Sequence, residues 1–293
     1  MKTLRLGLLA PIVGLLAGLF VAGGAWARPP VWIVRDKDSE LVLFGSVHIL
    51  PPGMDWRPPA LAKALTDADD VWFELPIDPA TEAETARLAA ERGMLAPDQS
   101  LFKLLPPAEA RRLVRVAGKY DADLGVLDRL KPWLADIALS AAAYKKVGAD
   151  GQDGVERAVA ASVPPTAQRR AFETARAQIE ILAGASQAEQ LASLSQTLQE
   201  MEEKPDEYER LLRAWMAGDL KALDAEALAP LRKASPAIFR RLVTDRNVSW
   251  TRTLDERLKG HGKTVVVVGM GHLIGPDGVP ARLRALGYQV EGP

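Results

Sequence analysis

Two short apolar runs, far apart in the chain, end in the same way. Val265–Val268 is a β-branched run followed by Gly269-Met270-Gly271-His272, and Leu41–Phe44 is followed by Gly45-Ser46-Val47-His48. Each run reads as a buried strand that stops at a glycine turn. Glycine lets the backbone bend tightly there or approach a ligand closely. Each histidine then stands just past a strand end, where open α/β sheets place their ligands. The chain has 3 histidines. Two of them occupy this one pattern, so the fold is expected to bring His48 and His272 together.

The remaining pattern supplies the scaffold. Val31–Val34 and Leu41–Phe44 flank the polar turn Asp36–Ser39, a β-hairpin signal. Pro58-Pro59 opens a helix to about Ala68, with Leu61 and Leu65 on one face. Val71–Leu75 is the next strand. Strand, helix, strand at this spacing predicts a parallel, right-handed pair with His48 and Glu74 at one edge. From Pro79 to Lys259 the pattern is helical and predicts no strand. Gln187–Glu203 reads as a solvated surface helix. In Pro236–Lys259, the residues Ile238, Phe239, Leu242, Val243, Trp250, Leu254 and Leu258 share one arc of a helical wheel, and Arg246 and Asn247 fall inside it. A charge on a buried face needs a partner or a task, unless the arginine stem packs and its head snorkels. A short helix Val279–Leu286 and a strand Tyr288–Glu291 close the chain. The expected fold is α/β. A mixed sheet is built from residues 28–78 and 262–293, a mainly helical block 79–261 lies between, and 28–293 form one domain.

Composition adds a compartment and removes some chemistry. Lys2 and Arg5 precede an apolar stretch, Leu6–Gly24, and Ala25-Trp26-Ala27 is an A-x-A cleavage pattern. Residues 1–27 therefore read as a secretory signal peptide, with an uncleaved anchor as the alternative. The expected location is periplasmic or secreted, with no membrane association after cleavage. The chain has 37 basic and 38 acidic residues. Loss of Lys2 and Arg5 leaves a mature chain near −3 with no basic tract, which argues against nucleic acid as a partner. There is no cysteine, so disulfides and thiolate metal sites are excluded.

Two imidazoles and a carboxylate at strand ends suit a divalent transition metal with an open position for water. Such an ion lowers the pKa of its water and polarises a carbonyl. Glu74, Glu173 and Asp153 are the acidic candidates, although an Asp in a glycine-rich turn before a helix is more often an N-cap. The chain has no H-E-x-x-H, G-x-S-x-G or phosphate-binding loop. His261 sits in a polar turn and reads as a bystander.

Taken together, several segments resemble the TraB/GumN family, bacterial relatives of the Tiki proteins. They are Phe44–Leu50 with Asp55-Trp56-Arg57, Phe73-Glu74-Leu75, Asp153-Gly154, Phe172-Glu173-Thr174, Asp245-Arg246-Asn247 and Val268–Leu273. The run Gly271–Glu291 is the most specific, and the resemblance spans essentially the whole mature chain. Ser46 stands where the family often has Thr, which keeps the hydroxyl. The resemblance implies a metal-dependent, hydrolase-like site. His48 and His272 would bind manganese, cobalt or zinc, and Glu74 would be a ligand or general base. Arg246 would neutralise a substrate carboxylate or a developing oxyanion, and Asn247 would orient a neighbour. Asp153, Glu173, Gly45 and Gly269 are further positions of the same site. Tiki proteins are proposed metallopeptidases, so the expected substrate is a peptide or another small carbonyl compound. The wider fold group also holds erythromycin esterases and haem-iron-binding lipoproteins. The alternatives are thus a non-catalytic periplasmic binder of peptide, haem or metal, and an accessory of polysaccharide export.

Overall fold

The structure is a computed structural model and describes residues 28–149 and 153–293. The predicted leader and its cleavage site fall outside these residues. Val31–Arg35 (β1) and Ser39–Ser46 (β2) form the expected hairpin, with Val34 opposite Leu41. Asp70–Phe73 (β3), Gln168–Ala171 (β4), Gly262–Gly269 (β5) and Gln289–Glu291 (β6) complete one mixed sheet in the order β4-β3-β5-β2-β1-β6. The four strands β4, β3, β5 and β2 run parallel, and β1 and β6 are antiparallel to their neighbours.

Two strand assignments differ from the sequence pattern. β5 lies between β2 and β3, so helix Pro59–Thr66 joins strands that are parallel but not adjacent. Val265–Val268 are at most 1% exposed. A run apolar on both faces belongs in the middle of a helix-covered sheet, and it displaces the hairpin strand from β3. β4 lies inside the block predicted to be wholly helical. Its sequence, Gln-Arg-Arg-Ala, has no apolar run because it is an edge strand with three exposed residues. Charged edges of this kind resist pairing with another chain.

Helix Gln187–Glu203 is not the solvated helix its composition suggests. It is capped by a reciprocal Ser186–Glu189 box and buries Leu194, Leu198 and Met201. These join Leu113, Val116 and Leu139 in a second apolar cluster, apart from the sheet core. The predicted helix Pro236–Lys259 is interrupted. Pro236–Phe239 leads through a π-helical turn, Arg240–Thr244, into Asp245–Leu258. The wider turn holds an extra residue, so one uniform wheel does not describe the whole stretch. From Pro236 to Leu258 it buries Phe239, Val243, Arg246, Asn247, Trp250, Thr251, Leu254 and Leu258. Among the described residues, no helix is long and apolar enough to cross a membrane.

Candidate functional site

Because four neighbouring strands are parallel, their carboxyl ends share one edge, and each delivers one side chain there. Glu74 follows β3 directly, and His48 lies two residues past β2. Glu173 lies two residues past β4, and His272 ends the single 3-10 turn after β5. Pairing extends beyond the strands, since Glu173 N–H donates to the Glu74 carbonyl (2.9 Å). A Cβ built on Gly269 would stand 3.1 Å from Glu74 Oε1, 3.6 Å from His272 Cδ2 and 3.7 Å from His48 Nε2. Three candidate groups therefore converge over the bare backbone of this one glycine.

Arg246, on the facing helix, ties the acids together. Its Nη2 donates to Glu74 Oε2 (2.6 Å) and Glu173 Oε2 (3.1 Å), and its Nε donates to Glu173 Oε1 (2.7 Å). Its Nη1 donates to the Leu242 carbonyl (3.1 Å) and lies 3.0 Å from His272 Nε2. All five N–H groups of the guanidinium are thereby engaged. In this arrangement no guanidinium N–H is left over for a substrate. Trp250, one turn on, stacks beneath the guanidinium at 4.6 Å, contacts the His272 ring and donates to Glu173 Oε1 (3.0 Å). Burial is the largest single influence and pushes the Glu74 carboxyl up, but Arg246, the two histidines and the Gly269 N–H together outweigh it and hold the group at about 2. Glu74 also accepts from Gly269 N–H (2.7 Å) and from Gln178 Nε2 (3.3 Å).

The neighbouring amide fixes the tautomer of His272. Asn247 Nδ2 donates to the Asp277 carbonyl (2.9 Å), so its Oδ1 faces His272 Nδ1 at 2.6 Å. Nδ1 therefore carries the hydrogen and Nε2 the lone pair. Burial depresses this imidazole to about 4, which leaves it neutral at pH 7. His48 is held differently. Its Nδ1 lies 2.5 Å from Glu156 Oε1, which also accepts from Ser46 Oγ (2.6 Å). The charge of Glu156 lifts His48 to about 9. Val155 N–H donates to the Val47 carbonyl, and Tyr208 Oη–H donates to that of Ile49, pinning the loop on either side of His48. The His48 side chain is 65% exposed and lines the cleft.

Most of the predicted site residues meet here: His48, Glu74, Glu173, Arg246, Asn247, Gly269 and His272. Gly45 packs beneath them. A Cβ on it would meet Met270 Sδ and Cε at 2.6 Å, and its carbonyl accepts from Trp215 Nε1 (2.9 Å). Asp153 is exposed and enters none of these contacts, nor does it cap the next helix, whose N-cap is Gly154. The same segment does supply the site, through Glu156. Pattern alone gave no reason to prefer that acid over Asp153, because Glu156 reads as an ordinary acidic residue in a first helical turn. Gln178 was likewise hidden in a helical stretch. His261 is exposed, in its polar turn.

The centre forms the polar end of a cleft of about 530 Å³ whose other walls include Ile181, Leu228, Leu242 and Ile274. The sequence model of the TraB/PrgY/gumN family matches residues 30–292. The chain belongs to the TraB/PrgY/gumN family. No curated protein and no solved structure matches it.

In this TraB/PrgY/gumN family member, the donors suit a divalent ion in kind and orientation. Each imidazole has Nδ1 bound to an acceptor, the arrangement that turns Nε2 toward a metal and fixes the ring. Their spacing is wider than an ion requires. Among the described residues, no three His, Asp or Glu side chains gather closely enough to hold one, and Arg246 Nη1 sits on the His272 lone pair. Loading an ion on His48, His272 and Glu74 requires Arg246 to release that one contact and the three side chains to draw together.

Proposed function

We propose that this family member is an exported metal-dependent hydrolase acting on a peptide or another small carbonyl-containing substrate. The observation that carries the reading is the shared orientation of His48 and His272. Glu156 and Asn247 hold the two Nδ1 atoms, and both imidazoles border Gly269 beside an ionised Glu74. His48 Nε2, His272 Nε2 and a Glu74 oxygen would hold manganese, cobalt or zinc. When bound, the ion would supply an acidified water and Lewis-acid polarisation of the scissile carbonyl. The chain itself contributes a carboxylate kept ionised, a neutral imidazole of fixed tautomer, and a buried cation whose field favours negative charge. Glu74, Arg246 and His272 are each 9% exposed, and this burial strengthens the electrostatic effects among them.

A second reading, a non-catalytic binding protein, is favoured by one contact. Arg246 on His272 Nε2 completes a charge network without any ion. Metal analysis of residues 28–293, purified without chelator, separates the two. Near one equivalent in the wild type and none in a His48→Ala/His272→Ala variant supports the first reading and justifies a peptide-cleavage screen. No metal in either, after incubation with manganese, cobalt and zinc, refutes it. Because coordination must displace the His48 proton, affinity is expected to rise with pH toward about 9.

A further inference from the structure

A second cavity, of about 300 Å³, opens beside the main cleft. Ile49, Tyr144, Ile181, Leu182 and Leu242 line both, so the two share a wall that a single ligand can follow. The side cavity is apolar over Trp133, Ile137 and Ile238, with one carboxylate among them, that of Asp136. Asp136 lies on helix Pro132–Lys146, facing helix Gln187–Glu203, from which Ser193 Oγ donates to it at 3.1 Å. Thr197 adds a second hydroxyl. Two hydroxyls can hold a carboxylate in place, but they bring no counter-charge. Among the described residues, no Lys or Arg forms an ion pair with Asp136, although Arg241 lines the same cavity. Glu200 acts on it with a like charge. A half-buried carboxylate with no ion-pair partner is left under-compensated, and it borders a space large enough for a ligand to supply a cation.

We propose that this cavity is a specificity subsite of the cleft, taking a bulky apolar group that ends in an ammonium or guanidinium, with Asp136 as the residue that reads the charge. The proposal rests on the hydrolase reading for what happens at the other end of the ligand, but binding at Asp136 is independent of it. The apolar walls take the body of the group, as the walls of small-molecule sites generally do, and one placed polar residue sets selectivity. The aromatic face of Tyr144, packed on Tyr208 at 4.9 Å, stands at the shared wall. It offers a surface over which a cation can pass. For a peptide substrate, the chemistry fits a lysine or arginine side chain, or a free amino terminus beside a large apolar residue.

The test is direct binding, measured by calorimetry at pH 8 on residues 28–293. The probes are 4-phenylbutylamine, 4-phenylbutanol and 4-phenylbutyrate, which share a body and differ in charge. The wild type is expected to bind the amine about tenfold more tightly than the alcohol, a charged hydrogen bond against a neutral one, and to bind the acid most weakly. Asp136→Asn is expected to lose that tenfold preference while still binding the alcohol. Leu182→Trp, which fills the shared wall, is expected to weaken both. The His48→Ala/His272→Ala variant is expected to bind the amine as the wild type does, so failure of the hydrolase reading leaves this result standing. Equal affinity for all three probes, no binding of the amine, or unchanged amine preference in Asp136→Asn would each overturn the proposal.

Discussion

Arg246→Met keeps much of the stem's packing and deletes all five donors, which makes it the sharpest probe of the buried network. Side-chain exposure is 9% for Arg246, 9% for Glu74 and 10% for Glu173. The relevant figure is therefore that for breaking a buried pair, about 3–5 kcal/mol, and not the fraction of a kcal/mol of a surface pair. Glu74 keeps its bond from Gly269 N–H, and Glu173 keeps its bond from Trp250 Nε1. That remaining solvation places the expected loss near the lower end, about 3 kcal/mol, or a fall in Tm of about 10 °C for a chain of this size. The assay is urea unfolding followed by circular dichroism at pH 7.5 and at pH 4. In the wild type, Glu74 sits at about 2, below the ordinary 4.5. Its contribution is complete above about 4.5 and is lost only as pH falls through about 2. In the variant, burial persists without the arginine and raises the carboxyl, so it takes up a proton by pH 4 and the unpaired charge disappears. The gap between wild type and variant is thus expected to be largest at pH 7.5 and to narrow at pH 4. A loss below about 1 kcal/mol, or a gap that does not change with pH, would refute the assignment of Arg246 as counter-ion to the two glutamates.

Two more outcomes follow from the histidine partners. With only 3 histidines in the chain, an imidazole NMR titration resolves each one. His48 is expected to titrate near 9 in the wild type and to fall back toward 6.5 in Glu156→Gln. Since its folded pKa is raised, its stabilisation is complete below about 6.5 and fades as pH rises through about 9, and Glu156→Gln should flatten that part of the stability profile. Asn247→Ala leaves the His272 Nδ1–H without its acceptor. Stability should fall by about 1–3 kcal/mol and metal affinity by about 10–100-fold, while Asn247→Asp, which restores an acceptor, should recover the affinity.

The repeated strand-then-Gly-x-x-His pattern was enough to pair His48 with His272, because a strand end is a local feature and a parallel sheet puts such ends on one edge. The buried arc marked Arg246 and Asn247 as polar residues on an apolar helical face, a reading it shared with a snorkelling arginine, and the family resemblance then pointed to them. Glu156 escaped for the opposite reason. An acid in a first helical turn is ordinary in sequence, and only the Val47–Val155 contact brings it under His48. β4 escaped because an edge strand needs no apolar run. The burial of Gln187–Glu203 escaped because its partners are other helices, out of reach of a local pattern.

The sequence by itself determined the α/β class, the strands β2, β3 and β5 that flank the site, the family and most of the kinds of side chain at its centre. The class, the strands and the polar positions follow from hydrophobic period and turn residues, and the family from the resemblance of several short motifs; each is a property of a few neighbouring residues. Tertiary structure alone decided the strand order, with β5 between β2 and β3, the engagement of every Arg246 donor, the opposite charge states of His48 and His272, and the cavity beside Asp136. Those depend on which groups are desolvated together and at what distance, and burial and Coulomb energy have no counterpart in a linear pattern.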